Sequence, residues 1–584
     1  VGIKVEGVKP HALAGEFSRF AIQSNQGLWS LVVHLSVLDL IYQRAGMERS
    51  SAAVSVLRDG MHVDFTFEDI QRLAHNLSNY LIERGIKAGD RIAIISEANP
   101  EFGAVFFAAI RAGAILVALD PNECTAQLQT QLLDTKPEFV FASTALLDRA
   151  SNMVSTLNLD AIVVCTDASP DLVAQKTLRG VSTHILHEGC ERQLDEVALI
   201  VYTAGVTGKP KGVMLSFDNL LFQADCLQQL FEVRKKDIFL STLSMSHVSE
   251  LTLGYLGVLF AGGRVCYLPE LSVKSQIRQL NAHNVSYMIT TSAFLIAVKN
   301  LIQKRLSKAS LQKRLLFKMR FGLAKLLPRR KRRKLFPLVN EIVGSRFRSF
   351  ISVGAPLSKD VEYFLDTIGL DVYHGYGLSE TCFFTSINSH DSFRMHSVGK
   401  PLPDVEIRLI GAKSEGDEGE IVIRGPHVMR GYYNQENRTN IAIDSSGWLY
   451  TGDLGYFDDD GFLFVTGRIS DLIHLTDGNK FYPRELEQIL LRSPLLRDVC
   501  VVGVREVNSF HYREVVAVVV PEKKTQKLSA ITKAIEPLLK NLPSFKKPAR
   551  IVISSENLPR TSMGELKRHE VLAWLRQTSE LGHS

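Results

Sequence analysis

Between Phe67 and Ile86 the sequence FEDIQRLAHNLSNYLIERGI repeats apolar residues at three- and four-residue intervals, the spacing of one buried helix face. KAGDRIAIIS follows, a turn running into a short apolar strand. PEFGAVFFAAIRAGAILVALD then predicts a second helix and a strand ending at Asp120, and the same alternation continues through FVFAS, AIVVCTD and ALIVYTAG. Helices alternating with short buried strands are the pattern of helices packed on parallel sheets.

From Val398 to Val465 the pattern changes to strand, turn and strand with many Gly and Asp, as in GEIVIRG and GWLYTGDLGYFDDDGFLFVTGR. That stretch predicts antiparallel hairpins forming a barrel-like edge on the large unit. After Arg468 a new helix and strand set begins with PRELEQILLRSP, DVCVVGV, EVVAVVV and ITKAIEPLLKNL. The expected fold class is therefore α/β: a large domain of stacked sheets and packed helices over 35–468, and a small mobile α+β domain over 469–584. Residues 1–34 form an N-terminal segment with no assigned role.

Composition adds little until its distribution is considered. The 584 residues are 45% hydrophobic and 22% charged, with a net charge of +6, an ordinary globular balance. The positive charge gathers between Lys304 and Lys334, which includes PRRKRRK (Pro328 to Lys334). Such a run reads first as a solvated face or a loop, and more sharply as a contact for anionic membrane lipid. Nucleic acid is not expected, because no aromatic residue interleaves with PRRKRRK and the rest of the chain is nearly neutral.

The seven cysteines are scattered without a CxxC pair. His184, His187 and Cys190 cluster, one ligand short of a closed zinc site, so a reducing compartment without structural zinc is expected. The apolar stretch Phe102 to Leu119 is interrupted by Arg111, which argues for a buried helix and strand and against a membrane span. The expected location is cytoplasmic, with the basic run available for peripheral contact at the inner face of a membrane.

Candidate chemistry begins at YTAGVTGKPKGV, Tyr202 to Val213. The loop follows a buried strand, Gly205 and Gly208 permit close backbone approach to an anion, Thr203 and Thr207 offer hydroxyls, and Lys211 adds a point charge. The Walker spacing G-x-x-x-x-G-K-[ST] is absent. GYGLSETC (Gly375 to Cys382), YTGDLGYF (Tyr450 to Phe457) and GRISDLI (Gly467 to Ile473) follow in order.

Together these four segments resemble the ordered core motifs of the adenylate-forming superfamily of acyl-CoA synthetases, luciferases and adenylation domains, over roughly Leu35 to Arg568. The resemblance implies ATP-dependent activation of a carboxylic acid to an acyl-adenylate, then transfer to a thiol, with ATP, Mg2+ and CoA as cofactors. It implies that Thr203, Gly205, Thr207, Gly208 and Lys211 hold the β- and γ-phosphates. It places Tyr376 against adenine between Gly375 and Gly377, with Gly354, Ala355 and Pro356 as the opposite wall. Ser379 would reach the α-phosphate, Glu380 would act in catalysis and hold magnesium, Asp453 would accept the ribose hydroxyls, and Arg468 would assist at the ribose.

LSMSHVSELTLGYLGVLFAGG (Leu243 to Gly263) resembles the corresponding segment of long-chain acyl-CoA synthetases, which places His247 near the acyl tunnel and the carboxylate, with Glu250 nearby. The partners so implied are a fatty acid and CoA, or an acyl carrier protein in place of CoA.

Four positions depart from the family pattern. Val206 and Ala204 stand where hydroxyl residues are common, and one lost hydrogen bond to a charged group costs about 1.5 to 3 kcal/mol. Ser470 stands at the hinge, where relatives carry Asp or Lys. In LPRTSMGELKR (Leu558 to Arg568) Glu565 occupies the position of the catalytic lysine, a like charge beside two anions. Lys567, two residues on, shares a face with Glu565 in an extended segment and is the substitute candidate for catalysis. The rival expectation is a protein that keeps the nucleotide and acyl pockets but has lost adenylation.

Overall fold

The computed structural model describes residues 50–58, 61–167, 190, 192–203, 210–268, 272–354, 357–414, 416–475, 479–505, 512–523, 525–560 and 565–580. Residues 1–34, His184, His187, Ala204, Gly205, Val206, Thr207, Gly208, Ala355 and Pro356 lie outside the described residues.

The first predicted helix forms over Phe67–Glu83 and is fixed at its start by a reciprocal cap. The Asp69 amide donates to Thr66 Oγ1 at 3.1 Å, and the Thr66 amide donates to the Asp69 carboxylate at 3.0 Å. The next helix, Pro100–Arg111, starts from Asn99, whose side-chain oxygen accepts from the Phe102 amide at 2.8 Å. Proline at the first helical position gives up an amide that has no partner there. Both helices bury their apolar faces against the sheets.

Two large sheets organise the chain up to Tyr432. In a seven-stranded sheet, Val197–Thr203, Ile115–Leu119, Arg91–Ile95, Phe139–Ala142 and Ile162–Cys165 run parallel, with Lys211–Ser216 and Gly431–Tyr432 antiparallel at one edge. In a nine-stranded sheet, Asp371–Leu378, Ser349–Val353, Tyr287–Thr291, Ile238–Ser241, Arg264–Tyr267 and Ala52–Arg58 run parallel.

The expected edge unit is an open four-stranded antiparallel sheet in the order Glu406–Ile410, Gly419–Arg424, Leu449–Phe457, Leu463–Arg468. Beyond it, Leu496–Arg505, Tyr512–Pro521 and Arg550–Ile553 form a small sheet flanked by the helices Pro483–Leu490, Leu528–Leu539 and Arg568–Glu580. Three buried apolar clusters draw on Ala53 to Val465, and two draw on Ile473 to Leu575. The core thus divides over the few residues around Arg468.

The basic run differs from its sequence reading. PRRKRRK is not a uniformly solvated face. Its arginines fold a short helix, Arg329–Arg332, onto acidic partners far along the chain. Arg329 reaches Asp366 at 2.6 Å and lies over the Phe393 ring, Arg332 also pairs with Asp366, and Arg333 donates to the Gly344 carbonyl at 2.6 Å. Asp366 is nearly buried, so its charge draws the guanidinium groups inward.

Candidate active site

Strand pairing assembles the centre of the site. Asp453 and Arg468 face each other across adjacent antiparallel strands of the four-stranded sheet. Arg468 Nε donates to Asp453 Oδ1 at 2.8 Å, while the Tyr376 hydroxyl, arriving from the nine-stranded sheet, donates to Asp453 Oδ2 at 2.7 Å. This contact ties the GYGLSETC and YTGDLGYF segments together. Burial pushes the Asp453 carboxyl up, and Arg468 and the Tyr376 hydroxyl oppose that rise. Arg468 is driven upward by the Asp453 carboxylate.

The strand carrying Tyr376 is threaded closely against its neighbour. A methyl group on Gly377 would overlap the Phe383 carbonyl, so this position excludes a side chain. Gly375 sits against Phe384 in the same strand pair. Gly354, at the end of Ser349–Val353, has a φ of 76°, the left-handed region where glycine carries no penalty. The chain beyond it is held by the Leu357 amide donating to His374 Nε2 at 2.9 Å. Burial lowers the His374 pKa and keeps that nitrogen an acceptor.

Ser379 and Glu380 occupy a single 3-10 turn, Ser379–Thr381, at the end of the Tyr376 strand. Cys382 and Phe383 follow with φ of 50° and 106°, a strained reversal of the kind that collects at functional sites. The Tyr432 hydroxyl donates to Glu380 Oε1 at 2.8 Å, and Lys211 Nζ lies 4.7 Å from the centre of the Tyr432 ring. Thr203 and Lys211 are directly paired across an antiparallel ladder, so they form the two ends of the glycine-rich loop. Lys211, Tyr432 and Glu380 therefore make a chain from that loop to the turn.

The sequence model of the AMP-binding enzyme family matches residues 43–433, and that of the AMP-binding enzyme C-terminal domain matches residues 485–565. The chain belongs to the AMP-binding enzyme family. It is similar to the medium-chain fatty-acid–CoA ligase of Escherichia coli (strain K12), 25% identical over 570 residues covering 94% of this chain and 92% of the relative. It is also similar to the long-chain-fatty-acid–CoA ligase FadD15 of Mycobacterium bovis, 27% identical over 501 residues and 80% of each chain.

Its fold matches o-succinylbenzoate CoA synthetase of Bacillus subtilis in complex with its acyl-adenylate intermediate. The TM-score is 0.72 at 23% identity, covering 91% of this chain and 97% of that one. The same synthetase has also been solved with ATP and magnesium ion.

In this AMP-binding enzyme His247 and Glu250, the residues expected on the acyl side, are joined by a local turn. The His247 carbonyl accepts the Glu250 and Leu251 amides at 3.0 and 3.1 Å, and its Nε2 lies 3.7 Å from Asp120. Burial lowers the His247 pKa and Asp120 only partly offsets this, so the ring is neutral at pH 7. Glu250 opens a π-helix, Glu250–Gly257, every residue of which is buried. Burial pushes the Glu250 carboxyl up to about 8, and the Ser241 hydroxyl only weakly opposes that rise.

Glu565 and Lys567 differ in the charged groups they act on. Helix Arg568–Glu580 begins immediately after Lys567, whose carbonyl accepts the Glu570 amide at 3.0 Å. Glu565 acts on Asp453, Arg468 and Arg484, adding to the upward shift of Asp453. Lys567 Nζ lies 3.2 Å from Glu570 and pulls on Glu123, which in turn feels Asp120, the neighbour of His247. Ser470 is exposed in the 3-10 turn Ile469–Asp471 between the two sets of core clusters.

Sequence reasoning missed Tyr432, His374 and Arg484. Each has a local signal: the aromatic pair of RGYYN, the histidine of YHGYG, and the arginine directly after the proline that starts Pro483–Leu490.

Proposed function

We propose that this AMP-binding enzyme activates a fatty carboxylic acid with ATP and passes the acyl group to the thiol of CoA. The observation that carries the reading is the Tyr376–Asp453–Arg468 cluster lying beside the Lys211–Tyr432–Glu380 chain at the junction of three sheets. The substrate carboxylate attacks the α-phosphorus of ATP, the α–β phosphoanhydride bond breaks and pyrophosphate leaves. The CoA thiolate then attacks the acyl carbonyl, and AMP leaves with the electron pair of the cleaved mixed anhydride.

The residues present fit these ligands. Asp453 already accepts from Arg468 and Tyr376, one bond on each oxygen, and each oxygen keeps a lone pair for a ribose hydroxyl. The flat Tyr376 ring, fixed by its hydroxyl, suits an adenine face. Among the described residues no three acidic, His or Cys groups gather around one point, so magnesium would draw on Glu380, phosphate oxygens and water. That is the usual mixture for this ion. Lys211, Arg468 and a neutral His247 would spread positive charge and donors around two approaching anions.

Support for a fatty acid comes from the medium- and long-chain relatives and from the buried π-helix behind His247. Support for CoA over a carrier protein comes from the CoA-ligase names of those relatives. One observation favours a second reading, in which adenylation is impaired: the Glu565 charge acts on Asp453 and adds to its upward shift. Fatty-acid-dependent exchange of labelled pyrophosphate into ATP tests both, measured across acid chain lengths. Exchange is expected with medium- to long-chain acids, and the absence of exchange with every acid would overturn the activation reading in favour of the impaired one.

A further inference from the structure

The helix Leu311–Ala324 has two apolar faces, and only one is used by the core. Phe317, Phe321 and Ala324 point inward, with Phe317 against Phe336 at 5.2 Å and Phe321 stacked on Phe364 at 5.8 Å between ring centres. Leu311, Leu315, Met319 and Leu323 recur every four residues, which at 3.6 residues per turn places them on the opposite side. All four are exposed, Leu311 at 71% and Met319 at 69%, and Leu326 just beyond the helix is 82% exposed. An outward stripe of this length is unusual on a folded surface.

The charges around the stripe are all of one sign. No acidic residue occurs between Lys304 and Lys334. Arg314 and Lys318 flank the stripe on one side of the helix, Lys313 and Arg320 on the other. Lys313, Arg314 and Lys318 are exposed, unlike the inward-turned Arg329, Arg332 and Arg333. Long basic side chains beside an outward apolar stripe can lay their stems along the acyl boundary and lift their charges to lipid headgroups.

We propose that the outer face of helix Leu311–Ala324, continued by Leu326, docks this protein onto an anionic lipid bilayer. The leucines and Met319 enter the headgroup and acyl boundary, and the flanking cations pair with lipid phosphates. The attachment is peripheral, since among the described residues no helix is long and apolar enough to cross a membrane. This inference is independent of which acid the active site takes. It also narrows the lipid contact expected over Lys304 to Lys334, because Arg329, Arg332 and Arg333 are turned to Asp366 and to a backbone carbonyl.

The test is co-flotation of the full chain with phosphatidylcholine vesicles, with and without about one-third phosphatidylglycerol, at low and high salt. The protein is expected to float at least about tenfold more with anionic vesicles, and to lose most of that binding at high salt. The combined variant Leu315→Gln, Met319→Gln, Leu326→Gln and the separate variant Arg314→Glu, Lys318→Glu should each abolish flotation while keeping the thermal midpoint of the parent. No preference for anionic vesicles overturns the proposal, as does undiminished flotation of the glutamine variant. Vesicle-independent self-association that the glutamine variant removes, seen by sedimentation velocity, would instead assign the stripe to a second copy of the chain.

Discussion

Glu565 stands within electrostatic reach of Asp453, Arg468 and Arg484, on the side of the site where the sequence motif leads one to expect a cation. Its charge raises the Asp453 carboxyl, whereas a substrate carboxylate and an ATP phosphate brought to the same place need positive charge between them. Exchanging a negative for a positive charge within reach of a partly solvated site is worth about 1 to 4 kcal/mol. Glu565→Lys should therefore raise the rate of pyrophosphate exchange by about one to two orders of magnitude, read at saturating ATP. An unchanged or slower rate would remove residue 565 from the adenylation chemistry. Lys567 pairs with Glu570 at 3.2 Å and acts on Glu123.

Among the elements, the π-helix Glu250–Gly257 joins stability to pH. Its first residue is buried with a carboxyl pushed from 4.5 to about 8. The native state thus holds a proton that the unfolded chain releases, and the contribution to stability is fully present below about pH 4.5 and lost as pH rises to about 8. One such proton gives a slope of at most about 1.4 kcal/mol per pH unit. Glu250→Gln cannot ionise, so its thermal midpoint should fall less than the parent's between pH 5 and pH 8, as measured by a series of melts. Parallel slopes for the two proteins would mean that Glu250 is solvated or ionised in the native state.

Elements of this kind were also where the sequence was least readable. The capped helix at Phe67 and the helix and strand from Pro100 to Leu119 follow from local caps and spacing, and Asp453 and Arg468 from ordered motifs. A π-helix carries no spacing signal, because tertiary packing decides whether a turn widens. The inward arginines of PRRKRRK answer to Asp366, some 35 residues away, and a charge run alone does not reveal such a partner.

At the scale of the whole molecule, if the two proposed half-reactions draw on different residues of the small domain, the turn Ile469–Asp471, between the two sets of core clusters, is where it would pivot. On one side Arg468 is fixed to Asp453; on the other Asp471 faces Arg568, which donates to the Val501 carbonyl at 3.0 Å and pairs with Glu487. The Tyr482 hydroxyl, donating to Glu418 at 2.9 Å, is the kind of contact that such a rotation would release. Ser470 is exposed between these anchors and free of bulky packing.

Proline can be introduced beside it without strain at Ile469. Arg468 already has the extended φ and ψ of −113° and 143° that a following proline demands, and the first position of a helical turn tolerates the ring. Ile469→Pro should leave fatty-acid-dependent pyrophosphate exchange within about threefold of the parent while slowing thioester formation by more than about tenfold, because the backbone is held in the present arrangement. Single-turnover assays of each half-reaction measure the two rates separately. If both rates stay unchanged, the rotation axis lies away from this turn. If both fall together, with a lowered thermal midpoint, the substitution has cost folding, and the turn loses its claim to separate the two steps.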